Sequence, residues 1–79
     1  MNLKEPVLVD ARGHRCPVPT LRLRRTLASV APGQTIRLLA DDPLARIDVP
    51  HFAAQNGCRI LYASFQGDWM TFEVVKDEA

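Results

Sequence analysis

The sequence VLVDARGHRCPVPTLRLRRTLASV, residues 7–30 of the chain, predicts a strand, a turn and a helix in succession. The apolar residues 7–9 are followed at residues 10–13 by Asp-Ala-Arg-Gly, which is typical of a strand and its exit turn. Pro17 and Pro19 are compatible only with the first turn of a helix, because proline has no N–H to donate further along. We therefore expect the first helix to begin at Cys16 or next to it.

This first helix is predicted to be amphipathic. Its buried stripe at helical spacing consists of Thr20, Leu23, Leu27 and Val30. The other side carries Arg22, Arg25 and Ser29. Leu21 lies off the stripe, so we expect it to be exposed beside the prolines, and Ala31-Pro32-Gly33 ends the helix.

Three further strands are predicted, at residues 35–40, 59–66 and 69–75. In the first of them Ile36 and Leu38 share one face. Gly67-Asp68 predicts a hairpin between the other two, and residues 76–79 are expected to be a frayed tail.

A second helix is predicted after residue 40. Asp42 is expected to cap it, with Pro43 at its first position. Its expected buried stripe is Ala45, Val49, Phe52 and Ala53. Pro50 predicts a kink or a break near Asp48, and Gly57 predicts a C-cap.

The resulting order, βαβαββ, predicts an α+β fold. Two helices on one face of a four-stranded mixed sheet form a two-layer α/β sandwich that buries every apolar face. The chain has 79 residues, so residues 1–79 are expected to form one domain that is too small to enclose a deep pocket. Apolar residues make up 47% of the chain and aromatic residues only 6%, so the core is expected to be aliphatic.

The N-terminus and the cysteine count predict a cytoplasmic protein. Residues 1–6 contain no basic segment followed by a long apolar stretch, as a secretory signal would. No apolar run reaches the roughly 20 residues that span a bilayer. Two cysteines are too few for a secreted disulfide scaffold. We expect no membrane partner, and a monomer.

Positive charge is concentrated near the first helix. Residues 11–25 contain five arginines and no acid, a balance of +5, whereas residues 26–79 contain four basic and seven acidic residues, a balance of −3. Such asymmetry typically steers a partner, so an acidic protein surface or phosphates are expected to dock there.

Cys16 is the candidate catalytic residue. The N-terminus of a helix carries partial positive charge, and three further positive or titratable groups lie close in sequence: Arg12, His14 and Arg15. Both effects favour the thiolate, so the pKa of Cys16 is expected to lie below the ordinary value of about 8.5. The alternative is a small buried cysteine before a proline of the kind common at helix starts.

The two prolines shape this helix start. Pro17 and Pro19 contribute no N–H groups, which leaves Val18 and Thr20 as donors in the first turn, and their fixed φ stiffens it. A thiolate with few hydrogen bonds retains its nucleophilicity, which suits sulfur transfer between cysteines.

Residues 9–19, VDARGHRCPVP, resemble the signature of the TusA/SirA-like sulfur-carrier family. Residues 31–35 and 40–43 match that family's junctions between helix and strand, and residues 48–50 match its interrupted second helix. The resemblance covers nearly the whole chain and includes a specific Cys-Pro-x-Pro motif.

This resemblance implies a sandwich whose motif cysteine accepts sulfane sulfur from a cysteine desulfurase or a rhodanese and passes it to an acceptor protein. In the family such relays serve tRNA 2-thiouridine formation, molybdenum-cofactor maturation, sulfur oxidation and thiosulfate use. Carried over to this sequence, Cys16 is the persulfide site and Pro17 and Pro19 shape it. The approach is framed by Asp10, Gly13 and Arg15. No organic cofactor or metal is required.

Two residues depart from the family's pattern. His14 stands where an aliphatic residue is usual, and it can tune the thiolate or donate a proton; we favour a solvated loop histidine. Cys58 can act as a resolving thiol, but we favour a small residue before a strand, since no Cys-x-x-Cys spacing exists. Metal binding is not favoured either, because no common zinc pattern has the spacing of His14, Cys16, His51 and Cys58.

The arginines also raise the question of RNA. The aromatic residues Tyr62, Phe65 and Trp69 fall in predicted strands rather than among the arginines, so the sequence does not favour direct binding of nucleic acid. Thiolate tuning or partner docking is instead expected of Arg12, His14, Arg15, Arg22 and Arg25.

The leading hypothesis is therefore a sulfurtransferase that acts as a carrier through a persulfide on Cys16. Two alternatives stay open. One is a non-catalytic regulatory or binding module that uses the same basic residues, and the other is a thiol-redox protein that pairs Cys16 with Cys58.

Overall fold

The computed structural model describes residues 5–15 and 17–76. Its elements are β1 (Val7–Asp10), α1 (Val18–Ser29), β2 (Thr35–Ala40), α2 (Ala45–Gln55), β3 (Cys58–Gln66) and β4 (Trp69–Lys76). The strands are ordered β1-β2-β4-β3, with β1 parallel to β2 and the other neighbours antiparallel. This confirms the predicted βαβαββ order and the two-layer α/β sandwich. Neither helix in the described part of the chain is long and apolar enough to cross a membrane.

One face of the sheet and both helices enclose the core. On β2 the strand alternation buries Ile36 and Leu38 completely, and on β4 it buries Phe72 and Val74. Burial of each large apolar side chain stabilises the fold by roughly 1.5–3 kcal/mol. The other face of the sheet is open, as the exposed Leu8 on β1 shows.

The first helix forms as the prolines predict. Pro17 is the N-cap residue, and Pro19 lies in the first turn, where it is buried. Leu23 and Leu27 pack in the core, while Leu21 is 53% exposed. The ends of the predicted stripe, Thr20 and Val30, are half-buried.

Lys76 contradicts the predicted frayed tail. It is the last residue of β4, and its Nζ donates to the carbonyl oxygens of Leu27 at 2.9 Å and Val30 at 3.1 Å. A cation is favoured at these carbonyls, because the C-terminal end of a helix carries partial negative charge. Residues 77–79 lie outside the described residues.

The second helix begins later than predicted. Its N-cap is Leu44, whereas Asp42 and Pro43 form a separate turn before it. The Asp42 carboxylate accepts the backbone N–H of Leu44 at 3.1 Å, so it caps that turn and not the helix. The C-cap of α2 is Asn56 and not Gly57 as predicted; Gly57 is the next residue and has a φ of +67, a conformation common for glycine just after a helix.

The break predicted near Asp48 is wrong, because α2 runs through Pro50 without interruption. Ala45, Val49 and Ala53 are buried on both sides of the exposed proline. Their packing holds the helix together although proline supplies no N–H to it. The interrupted second helix implied by the resemblance is therefore absent from this stretch of described residues.

The predicted hairpin is confirmed. Gln66 pairs with Trp69 in the antiparallel register of β3 and β4. Gly67 opens the two-residue turn with φ +59, a conformation that glycine adopts without strain.

Candidate functional site

The loop that leads to Cys16 lies at the carboxyl ends of β1 and β2. Cys16 itself lies outside the described residues, so its surroundings are given by its neighbours in the chain. The N–H of Ala11 donates to the carbonyl oxygen of Leu39 at 2.8 Å and extends the pairing of the two strands. The N–H of His14 turns back to the carbonyl oxygen of Ala11 at 3.3 Å.

Gly13 joins this loop to the junction between β2 and α2. Its backbone N–H lies 2.9 Å from each carboxylate oxygen of Asp41, which is 28 residues away in the sequence. Its φ of +86 lies in the left-handed region, where a side chain adds strain. This finding agrees with a shaping role for Gly13.

Asp10 and Arg12 form a bidentate pair beside the loop. The Nε and Nη2 atoms of Arg12 each donate to one Asp10 carboxylate oxygen at 2.9 Å, and the backbone N–H of Arg12 donates at 3.1 Å. These hydrogen bonds lower the pKa of Asp10 from 3.8 to about 2. The guanidinium also lies over the ring of Trp69, 5.3 Å from its centroid. The charge of Arg12 is therefore balanced by Asp10.

One of the two N–H groups that the prolines leave in the first turn of α1 is already paired. The N–H of Val18 donates to the carbonyl oxygen of Arg15 at 2.9 Å, so the expectation that it remains a spare donor is wrong. The N–H of Leu21 and the hydroxyl of Thr20 donate to the carbonyl oxygen of Pro17, at 3.0 and 2.9 Å respectively. The loop thus closes tightly onto the start of the helix.

The other residues predicted for thiolate tuning or partner docking are all exposed. Arg15, His14 and Arg25 are exposed, and Arg22 is exposed although its Nη1 donates to the carbonyl oxygen of Asp10. That last contact places the first turns of α1 beside the carboxyl end of β1. Unlike Arg12, Arg22 bonds an uncharged carbonyl oxygen here, although its charge also helps to lower the pKa of the Asp10 carboxyl group.

A shallow cavity of about 250 Å³ adjoins the loop. It is lined by Gly13, His14, Arg15, Asp41, Asp42 and Pro43. A volume of this size at the surface accommodates a few atoms of a partner side chain and does not enclose a large substrate. The chain length predicts a domain too small to enclose a deep pocket, and the open shape of this cavity agrees with that prediction.

Cys58 lies at the opposite end of the sheet. It is 8% exposed, and its Sγ donates to the carbonyl oxygen of Asn56 at 3.4 Å. Cys58 pairs with Lys76, and the neighbouring Val75 pairs with Thr35 at the start of β2. The loop before Cys16 lies at the other end of β2. The six residues of that strand separate the two ends by about 17 Å, at roughly 3.3 Å per residue. Disulfides need Cα atoms within about 7 Å, so this arrangement favours the interpretation of Cys58 as a small packed residue.

Among the described residues, three arginines lie over aromatic rings, which sequence order concealed. Arg24 lies over Phe52 at 5.9 Å from the centroid, and the other two pairs lie at the same end of the sheet as the loop. Besides Arg12 over Trp69, Arg46 lies over the ring of Phe65 at 4.4 Å from the centroid. The cavity between these pairs is lined by Asp41 and Asp68 as well. Because acidic groups are mixed with the cations, this surface does not have the uniform positive charge that attracts nucleic acid.

Two residues of the site were missed by sequence reasoning. Asp41 was interpreted only as part of a helix start, and Trp69 only as a strand residue. Asp41 contacts Gly13, and Trp69 contacts Arg12. Neither contact has a local sequence signal, because the two partners are far apart in the chain and only the fold brings them together.

A comparison with protein families identifies the chain. A family model described as Sulfurtransferase TusA matches residues 7–76. The matched range spans residues 16–19, the loop before them and all six elements of the fold. The family suspected from the sequence is thereby confirmed, and the match supports a role in sulfur transfer in general. The chain belongs to the TusA sulfurtransferase family.

Proposed function

We propose that this protein is a sulfur carrier that holds a persulfide on Cys16. The Cys16 thiolate attacks the terminal sulfur of a donor's persulfide. A new S–S bond forms on Cys16, the S–S bond within the donor breaks, and the donor cysteine leaves as a thiolate. An acceptor thiolate then repeats the step on the Cys16 persulfide, so that the relay needs no external oxidant or reductant.

The observation that carries this proposal is the family match across the motif at the start of α1. Cys16 stands in the chain between Arg15 and Pro17, both of which are exposed, and directly before a helix with partial positive charge at its N-terminus. A cysteine in such surroundings favours the thiolate, the form that attacks sulfur.

The shape and charge of the site support protein partners. The cavity beside the loop is too shallow to enclose a substrate, so the donor must supply part of the reaction site. Exposed Arg15, Arg22 and Arg25 form the surface that we assign to docking on an acidic partner. We propose a cysteine desulfurase or a rhodanese as the donor.

The acceptor decides the pathway. The sulfur could serve tRNA 2-thiouridine formation, molybdenum-cofactor maturation or sulfur oxidation. Each pathway would use the same chemistry on Cys16 and a different acceptor protein. We place the relay in the cytoplasm, because the free thiol that accepts the sulfur persists where thiols are kept reduced. We assign the relay to the monomer.

The test is a mass measurement after incubation with a cysteine desulfurase and cysteine. We expect wild type to gain one sulfur atom that a reductant removes. Cys16→Ser is expected to gain none, whereas Cys58→Ser should load like wild type, since that thiol is packed in the core.

Other outcomes point to the alternatives. Equal gains on wild type and Cys16→Ser would refute the persulfide assignment. A Cys16→Ser chain that still rescues a deletion phenotype would favour a non-catalytic binding module. A loss of two mass units on mild oxidation, absent in Cys58→Ser, would favour the redox pair.

A further inference from the structure

Asp41 is the first residue after β2, and its carboxylate reaches across to the loop before Cys16. Both of its oxygens lie 2.9 Å from the backbone N–H of Gly13. Such contacts between a charged acceptor and an amide are shorter and stronger than neutral hydrogen bonds. The loop is therefore fastened to β2 at a second point, beyond the contact of Ala11 with Leu39.

The segment between Gly13 and Pro17 is held from both sides. At its start Gly13 takes a φ of +86 and bonds to Asp41. At its end Pro17 is the N-cap of α1, and its carbonyl oxygen accepts the N–H of Leu21 at 3.0 Å. Only three residues, 14–16, join these two points, so the position of Gly13 limits where the motif cysteine can lie.

We propose that Asp41 is a positioning residue for sulfur transfer, which acts through the Gly13 N–H to orient the loop that carries Cys16 toward the partner. This inference rests on the proposed function. A negative charge near a thiolate opposes its ionisation, so Asp41 does not activate the sulfur. Its contribution is to the geometry of the encounter, where a shift of about 1 Å can slow a reaction by about 100-fold.

Two substitutions separate the hydrogen bond from the charge. Asp41→Asn removes the charge and keeps an oxygen that accepts the Gly13 N–H, whereas Asp41→Ala removes both. Asp68→Ala is the matched control, since it removes one negative charge from the hairpin at the same end of the sheet. All variants are first compared with wild type by thermal unfolding and by their spectra.

The experiment measures the initial rate of persulfide loading from a cysteine desulfurase. We expect Asp41→Ala to load between about 10-fold and 100-fold more slowly than wild type. Asp41→Asn and Asp68→Ala are expected to stay within about threefold of it. In parallel, the pH profile of Cys16 alkylation by iodoacetamide should be the same for Asp41→Asn and Asp41→Ala, because both lack the same charge.

Two results would overturn the inference. One is Asp41→Ala loading as fast as wild type, and the other is Asp41→Asn loading as slowly as Asp41→Ala, since the effect would then be one of charge. If wild type itself does not load, the proposed function fails. Hydrogen exchange of the Gly13 amide, followed by NMR, then tests the role of Asp41 by itself. Faster exchange in Asp41→Ala than in wild type and Asp41→Asn supports the contact of Asp41 with the loop. Equal exchange rates in all three proteins refute it.

Discussion

Replacing Gly13 by alanine tests whether the conformation of the motif loop matters for sulfur transfer. The φ of this residue is +86, and an added Cβ would meet no atom within 4 Å. The substitution therefore introduces backbone strain without a steric clash. For an L-residue in the left-handed region this strain is about 1–2 kcal/mol.

Gly57→Ala provides the matched control. Its φ is +67, an added Cβ again meets nothing within 4 Å, and it precedes β3 at the opposite end of the sheet. Both variants are expected to lower the free energy of unfolding by about 1–2 kcal/mol. In a domain of this size each kcal/mol lowers Tm by about 4–8 °C.

The two variants should differ in persulfide loading. Gly13→Ala can relieve its strain by a shift of the loop that weakens the contact with Asp41, so we expect slower loading from a desulfurase, measured by intact mass over time. Gly57→Ala should load at the wild-type rate at a temperature where both are folded. Equal loading rates for the two variants, with similar losses of stability, would refute the link between loop conformation and transfer.

Three further predictions concern the fold around the site. In Arg12→Ala the pKa of Asp10, followed by NMR, should rise from about 2 to near its ordinary value of 3.8. In wild type the ion pair stabilises the fold fully above pH 3.8, and this stabilisation is lost as the pH falls toward 2. A wild-type Asp10 that is half-protonated near pH 3.8 would contradict the pairing. Pro50→Ala should raise the free energy of unfolding in urea by about 1–3 kcal/mol, since the substitution restores an N–H inside a continuous helix, and a decrease would show that the proline is favoured there. Lys76→Met should lower it by about 1–2 kcal/mol through loss of the two carbonyl contacts, and an unchanged urea midpoint would contradict their role.

Local patterns predicted most of the architecture. Ile36 and Leu38 are two residues apart, so the geometry of a strand places both on the same face, which the structure buries. Pro17 and Pro19 fixed the start of α1, because a proline has few positions open to it in a helix. Gly67 predicted the hairpin, because its tight turn needs a positive φ, which glycine adopts without strain.

Contacts between distant segments were beyond the sequence pattern. The bond from Asp41 to Gly13 spans 28 residues, and the Lys76 contacts with α1 span 46 and 49 residues. The break that Pro50 predicted does not occur, because the packing of α2 outweighs the local cost of a proline, whereas the kink stays a prediction. For Cys16 the pKa and the exposure stay predictions, since that residue lies outside the described part of the chain.

The strand order has a consequence for how the molecule folds during synthesis. Of the four described strands, β4 comes last in chain order and is made last, yet it lies between β2 and β3 in the interior of the sheet. Until it has left the ribosome, β2 has no antiparallel neighbour and β3 no neighbour at all. We therefore expect a nascent chain that stops before residue 69 to remain unfolded and sensitive to protease, with the loop before Cys16 assembled only after β4 is inserted.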